Sequence, residues 1–267
     1  MPALRKFVAA WFRVALFAMF LLAGWAFLRA QPAPDPTRLE AHMPVLGAHT
    51  LLGQEDGSGV DPAVTAAIAT QTTGSSFIAF NAGFASNGAA PTDSKSNQWK
   101  RLGRSVVYNG YDARFDVTAY VALAGKGGSG HTVSVVKRGE PKGEITVPFV
   151  EIRNADVLQD VAANYPPPGS TVTSDDVKTT GPATLIAVWW GDAPSKDNTA
   201  EPGDGFTVIE SLVKLPEGSA VQCVVAYKEV ERAGTYNVTW THTPEQSAPL
   251  WLFAFQSSAA VAPNAAK

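Results

Sequence analysis

The chain reads as all-β: an antiparallel β-sandwich of jelly-roll or immunoglobulin-like type, built from two related halves and preceded by an N-terminal hydrophobic helix. Three observations predict this. First, the chain repeats itself. Thr72-Thr73-Gly74 leads into the apolar run Phe77-Ile78-Ala79-Phe80, and about 108 residues later Thr179-Thr180-Gly181 leads into Leu185-Ile186-Ala187-Val188. A period this long is not that of a solenoid, whose units run ~20–50 residues. Second, hydrophobicity alternates with a period of two through much of the body, the pattern of strands with two unlike faces. Third, turn residues fall between the runs: Asn109-Gly110, Gly125–Gly130, Pro141-Lys142-Gly143, Pro166–Gly169 and Pro216-Glu217-Gly218. Many short strands with spaced turn signals point to a sandwich.

The first element is the hydrophobic helix. Met1 to Lys6 is a short basic segment, and Val14 to Leu28 is apolar without interruption. Two readings of residues 1–30 stand side by side. A signal anchor needs a transmembrane helix of ~20 apolar residues with Lys and Arg on the cytoplasmic side, where Arg5, Lys6 and Arg13 would lie. A cleaved signal peptide needs an apolar core of ~7–15 residues and a small-x-small site, for which Leu28-Arg29-Ala30 is an imperfect match. Either way the body is expected to be exported: inner-membrane-anchored with a periplasmic or extracellular body, or secreted if cleaved. Residues 31–44 read as a proline-rich linker, opening with Gln31-Pro32-Ala33-Pro34-Asp35-Pro36.

The body follows at 45–257, with halves at about 60–157 and 170–257 and a disordered tail at 258–267. Residues 37–59 show no convincing period. Asp61-Pro62 before Val64 and Ile68 suits either one short helix or a first strand. Phe77–Phe80 and Leu185–Trp190 are continuously apolar, as central strands covered on both faces would be. Tyr111, Ala113, Phe115, Val117 and Ala119 alternate with Asp112, Arg114, Asp116 and Thr118, which places one face in a core and the other in water. Tyr236, Val238 and Trp240 alternate in the same way, and His242 continues that face as a strand residue. The stretch from Asn154 to Pro168 joins the halves and has room for one helical turn over 155–162. The repeat extends through Asn97-Gln98-Trp99 with Asp204-Gly205-Phe206, and Val117–Val121 with Gln222–Ala226. It ends with Gly130–Val133 against Gly234–Asn237 and Phe149–Ile152 against Leu252–Phe255.

Charge narrows the function. The formal net charge is -3, with 21 basic and 24 acidic residues. Four of the basic residues precede Gln31, which leaves 17 against 24 and a net of -7 for the rest. An acidic body lacks the basic footprint of nucleic-acid binding. The single cysteine, Cys223, excludes an intrachain disulfide and sits in an apolar string as an inert buried thiol.

No catalytic constellation emerges. Gly125-Lys126-Gly127-Gly128-Ser129-Gly130 fits G-x-G-x-x-G, but strand-like sequence on both sides makes it a hairpin loop, not the strand-to-helix turn a dinucleotide needs. The histidines His42, His49, His131 and His242 lack metal-ligand spacing. Asp192, Asp197, Glu201 and Asp204 crowd one loop and form a candidate Ca²⁺ site, since hard cations take several oxygen ligands. The same acids also suit an ordinary solvated loop, and no other cofactor is expected. Trp189 and Trp190 are adjacent on one strand and so point to opposite faces. One belongs in the core, and the other is a candidate sugar-stacking platform.

The turn Pro91-Thr92-Asp93-Ser94-Lys95-Ser96-Asn97-Gln98-Trp99, the Thr-Thr-Gly entries and Ala233-Gly234-Thr235-Tyr236-Asn237-Val238-Thr239-Trp240-Thr241 resemble exported bacterial β-sandwich proteins with a duplicated half-domain and no assigned activity. The resemblance covers roughly 60–256. It implies a candidate ligand role for Asp93 and Asn97, not duplicated in the second half, where Gly203-Asp204-Gly205-Phe206 replaces the turn. The expected function is therefore a non-enzymatic binding or structural role in the cell envelope. The expected partners are the membrane, through the N-terminal helix, and a glycan or an envelope protein, with no nucleic acid. The alternative is a hydrolase with a non-local acidic site, for example Asp93 with Asp204.

Overall fold

The computed structural model describes residues 43–85, 88–107, 115–191, 199–213, 221–246 and 248–261. The hydrophobic segment 1–30, most of the linker and the last six residues lie outside them. Among the described residues no helix is long and apolar enough to cross a membrane.

The chain is all-β. Its first half supplies β1 (Val45–Gln54), β2 (Ala63–Val64), β3 (Ser75–Phe84), β4 (Thr92–Asp93), β5 (Lys100–Val107), β6 (Phe115–Gly125), β7 (Val133–Val135) and β8 (Ile145–Arg153). Its second half supplies β9 (Val157–Asn164), β10 (Gly169–Thr173), β11 (Val177–Thr179), β12 (Ala183–Gly191) and β13 (Glu201–Pro202). It continues with β14 (Thr207–Leu212), β15 (Gln222–Val230), β16 (Gly234–Tyr236), β17 (Thr239–Gln246) and β18 (Leu250–Gln256), and a single helical turn, α1 (Ser258–Val261), follows.

Two of these strands depart from the sequence expectation. Residues 45–54, which show no clear period, form β1, because both of its faces are half-buried and alternation is blurred. The helical turn expected over 155–162 is β9, which pairs with β18. Residues 63–64 take the strand alternative at the first element.

Two five-stranded antiparallel sheets carry the fold, in the orders β1-β8-β3-β6-β5 and β9-β18-β12-β15-β14. The two orders match strand for strand. In both, the continuously apolar strand is central: β3 and β12 are flanked on both sides and buried on both faces. One face of each large sheet enters a common cluster. Ile78, Phe80, Val117, Val121, Val150 and Ile152 from the first half meet Ile186, Val188, Trp190, Val225, Phe253 and Phe255 from the second. Phe80 lies among three rings of the other half, with centroids 5.1 Å from Trp190, 5.7 Å from Trp251 and 5.9 Å from Phe253.

The outer faces are covered too. Phe77, Ala79 and Phe149 pack with Ala63, Val133 and Val135 of the sheet β2-β7-β4. Leu185, Trp189 and Leu252 pack with Val172, Val177 and Trp240 of the sheets β10-β17-β13 and β11-β16 and with Val238 between β16 and β17. This covering explains a correction at β6. Thr118, expected on a water-facing side, is buried, as is Tyr120 two residues on, whose Oη donates to the Gly88 carbonyl.

Register shows where the repeat is legible. Ile78 and Ile186 both face the common cluster, as do Val150 and Phe253, so those matches hold. Two further matches are one residue out. Ile78 pairs with Val121 and Ile186 with Tyr227, so Val121 corresponds to Tyr227, not Ala226. In the covering layers the Val133 amide bonds Thr65 Oγ1 and the Val238 amide bonds Ser174 Oγ, so His131 corresponds to Tyr236, not Thr235. Because side chains alternate, such a slip exchanges the faces of a strand.

Candidate functional site

The turn after β4 is organised by one carboxylate. Asp93 Oδ1 accepts the Lys95 amide at 2.7 Å, and Oδ2 accepts the Asn97 amide at 3.2 Å and the Trp99 indole at 2.7 Å. An aspartate reaching its own backbone two residues on is the local geometry that makes this residue type common in turns. Asn97 closes the next step, donating from Nδ2 to the Lys126 carbonyl at 2.9 Å and accepting the Lys126 amide on Oδ1 at 2.7 Å. The two ligand candidates of the first half are therefore brought together, but their polar atoms tie the turn to the β6–β7 loop.

Behind Asp93 stands His131, with no side-chain exposure on either partner. Its Nε2 lies 3.5 Å from Asp93 Oδ1, too long for a good hydrogen bond, and its Nδ1 is 2.9 Å from Thr70 Oγ1. Phe77 and Phe149 meet the imidazole edge-on, both at 4.9 Å. Burial alone pushes the Asp93 carboxyl up. The His131 imidazole, the Lys95 amide, the Trp99 indole and the Asn97 amide outweigh it and hold the carboxyl below its ordinary value. An Asp–His–Thr line has the composition of a nucleophile relay, but it is sealed from solvent and Thr70 Oγ1 is engaged by the Gly128 backbone. It serves to fasten layers.

The other candidates separate. Trp189 and Trp190 do point to opposite faces, but both are fully buried, Trp189 under the second covering layer and Trp190 in the common cluster. Neither offers a ring to a sugar, because the outer face of β12 is itself covered. Of the Ca²⁺ candidates, Asp192 and Asp197 lie outside the described residues. Glu201 accepts from Thr199 Oγ1 and sits 3.3 Å from His242 Nδ1, and Asp204 Oδ2 accepts the Thr239 amide. Among the described residues no three His, Cys, Asp or Glu side chains converge as a metal would require. Asp93 and Asp204 belong to opposite covering layers, with both large sheets between them. At ~10 Å per layer they are on the order of 20 Å or more apart, beyond the ~5–9.5 Å of a carboxylate pair in glycoside hydrolysis.

His242 does not continue the Trp240 face. It adopts a positive φ of 53° and is exposed, and Thr243 takes the buried position. Cys223 is buried in the common cluster, and burial, with Glu210 adding to it, raises its thiol well above the ordinary value.

Sequence reasoning passed over two buried charged residues. Glu151 accepts the Gln71 amide and Ser75 Oγ on Oε1, both at 2.7 Å, and the Ala48 amide on Oε2 at 3.0 Å. It fills the irregularity of β1 between Leu46 and His49, where a Cβ on Gly47 would overlap the carboxylate. Lys137 donates from Nζ to the Gly143 carbonyl at 2.9 Å and is almost fully buried. Burial lowers its pKa against the opposing pull of Asp61 and Glu140. No local signal marks either residue, since Glu151 meets donors from residues 48, 71 and 75 and Lys137 is held between the segment 54–61 and Gly143.

Solvent-facing charge gathers elsewhere. Lys100, Arg101 and Arg104 stand exposed along β5, an outer strand of the first large sheet. Arg101 Nη2 donates to Ser105 Oγ at 2.7 Å, and that hydroxyl lies 2.6 Å from Thr118 Oγ1.

These features define the chain as an all-β protein whose conspicuous polar residues are mostly internal fastenings. Comparison with protein-family models, with curated proteins and with solved structures finds no match for the chain.

Proposed function

We propose that the chain is an exported β-sandwich of two related halves that acts by binding or scaffolding in the cell envelope, without catalysis, with glycans as the candidate ligand. One observation carries this reading. Asp93, the carboxylate whose setting most resembles a reactive group, is closed to solvent and committed to donors from its own turn. Groups that catalyse must reach a substrate. The matched strand orders favour a duplicated origin for the halves, and the shared cluster favours one body. Export rests on the apolar segment 14–28 and the basic residues before it.

The test is retention of the full-length protein, in a nonionic detergent, on cell-wall and capsular polysaccharides. Retention on at least one is the expected result, and none on any would remove the glycan reading. Fractionation with a C-terminal tag should place the body outside the cytoplasm. N-terminal sequencing then distinguishes an anchor, beginning at or near Met1, from a cleaved signal, beginning at Gln31.

A further inference from the structure

We propose that β5 and the turn leading into it form a docking track for an acidic polysaccharide bearing carboxylates. The inference rests on the binding role above and names its chemistry. Lys100, Arg101 and Arg104 are exposed on β5, Lys100 and Arg101 on opposite faces of this edge strand as adjacent residues, so that only a ligand following the edge itself meets both. Lys126 joins them at the start of the strand, where its backbone is bonded on both sides to Asn97, and Lys95 stands beside it, donating to the Ser129 carbonyl at 2.8 Å. None of these five cations forms an ion pair among the described residues.

The strand is shaped for this display. Its register with β6 shifts between Leu102 and Val106, and Gly103 takes a positive φ of 60°, so three consecutive residues leave the regular pleat between two that face the common cluster. Arg104 lies in that detour and is exposed. Arg101 is pre-positioned, because Ser105, backed by Thr118, holds one of its nitrogens. The remaining N–H groups form a planar fork suited to a carboxylate. From Lys100 to Arg104 the strand reaches at most roughly 13 Å at ~3.3 Å per residue, less by the detour after Leu102, a line of charge rather than a plane.

The surroundings select the partner. Outside the N-terminal segment the chain is acidic, 17 basic against 24 acidic residues. A broad anionic surface, such as a lipid bilayer, would be repelled by the rest of the body. A single flexible polymer can follow the edge alone and is steered to it by the local reversal of charge. Single-stranded nucleic acid would want stacking rings beside the cations. The neighbouring Trp99 is half-buried, packed against Phe149 at 6.4 Å and bonded to Asp93. Cations on an outer strand also discourage edge-to-edge pairing of sheets, so the experiment must separate docking from that duty.

Full-length protein in nonionic detergent is applied to immobilised polygalacturonate at low salt, about 50 mM NaCl, where screening is weak, and eluted with a salt gradient. Wild type should be retained and then released by salt. The variant K100Q/R101Q/R104Q should bind at least about tenfold more weakly. A control that removes charge from the second half, K178Q/R232Q, should behave as wild type. Should the triple variant fold poorly, Lys100→Gln and Arg104→Gln singly, whose side chains make no hydrogen bond among the described residues, carry the same reading. Failure of wild type to bind polygalacturonate overturns the track, as does an equal loss in the control. Unchanged retention by the edge variant, with new self-association in sedimentation, would assign the cations to edge protection alone and overturn it too. So would equal β5-dependent binding of single-stranded DNA or phosphatidylglycerol vesicles. Binding to neutral glycans only would remove the track and leave the binding role standing, and binding to no polysaccharide would remove both.

Discussion

Asp93 illustrates how one residue type supports two opposite readings. In a turn rich in serine, lysine and asparagine, a carboxylate suits an exposed ligand site. In the fold it is enclosed by donors from its own turn and by His131. Because its folded pKa lies below the ordinary 3.8, its contribution to stability is complete above that value. It is lost as pH falls through the lower folded value. Asp93→Asn should therefore destabilise the protein at neutral pH by about 1–3 kcal/mol, the cost of weakening buried charge-assisted bonds. It should also flatten the acid limb below about pH 4. Denaturant melts of both proteins between acid and neutral pH check this, and parallel acid limbs would show that another group governs acid unfolding.

At the scale of elements, the two central strands behave as their composition requires. Nine consecutive residues of β12 are buried, and β3 is covered from Ser75 to Gly83. A residue in such a strand has a neighbour on either face, and Phe80 shows how far that couples the molecule. It is carried by β3, yet three of its ring partners come from β12 and β18. Phe80→Ala should cost about 3–5 kcal/mol, since it leaves a cavity between two rigid sheets. Calorimetry should show the entire unfolding transition moving down without splitting. A loss confined to part of the transition would mean that the sheets melt separately.

At the scale of the whole molecule, each large sheet depends on the other. The joining cluster is reinforced by polar contacts between the halves. His49 Nδ1 lies 2.7 Å from Glu210 Oε1, the Leu46 amide donates to Glu229 at 3.2 Å, and Thr146 Oγ1 donates to the Val221 carbonyl at 2.7 Å. A chain ended before β9, near Asp156, would expose the apolar face that holds Ile78, Phe80 and Val150. Small bodies with a large uncovered apolar face are marginal. Such a truncation should aggregate or stay unfolded, whereas residues 45–257 should melt in one transition. A soluble first half with dispersed amide resonances would establish independent folding units instead.

The sequence by itself determined the all-β class, the central strands and the order in which corresponding elements recur. These rest on local properties: period-two alternation, uninterrupted apolar runs and turn residues. It also carried the correct register wherever an apolar run left one solution, as at Phe77–Phe80 and Phe149–Ile152. Where the runs were mixed, at Val117–Val121 and Gly130–Val133, the repeat slipped by one residue, because alternation without sequence identity is matched almost as well one step away. Only the tertiary structure decided what is inside. Neither Trp189 nor Trp190 kept the platform role, and Thr118 lost its water-facing side, because other segments lie over them, and Glu151 and Lys137 became internal for the same reason. Burial in a layered β protein is conferred by strands far away in the chain, so no window of sequence around a residue contains it.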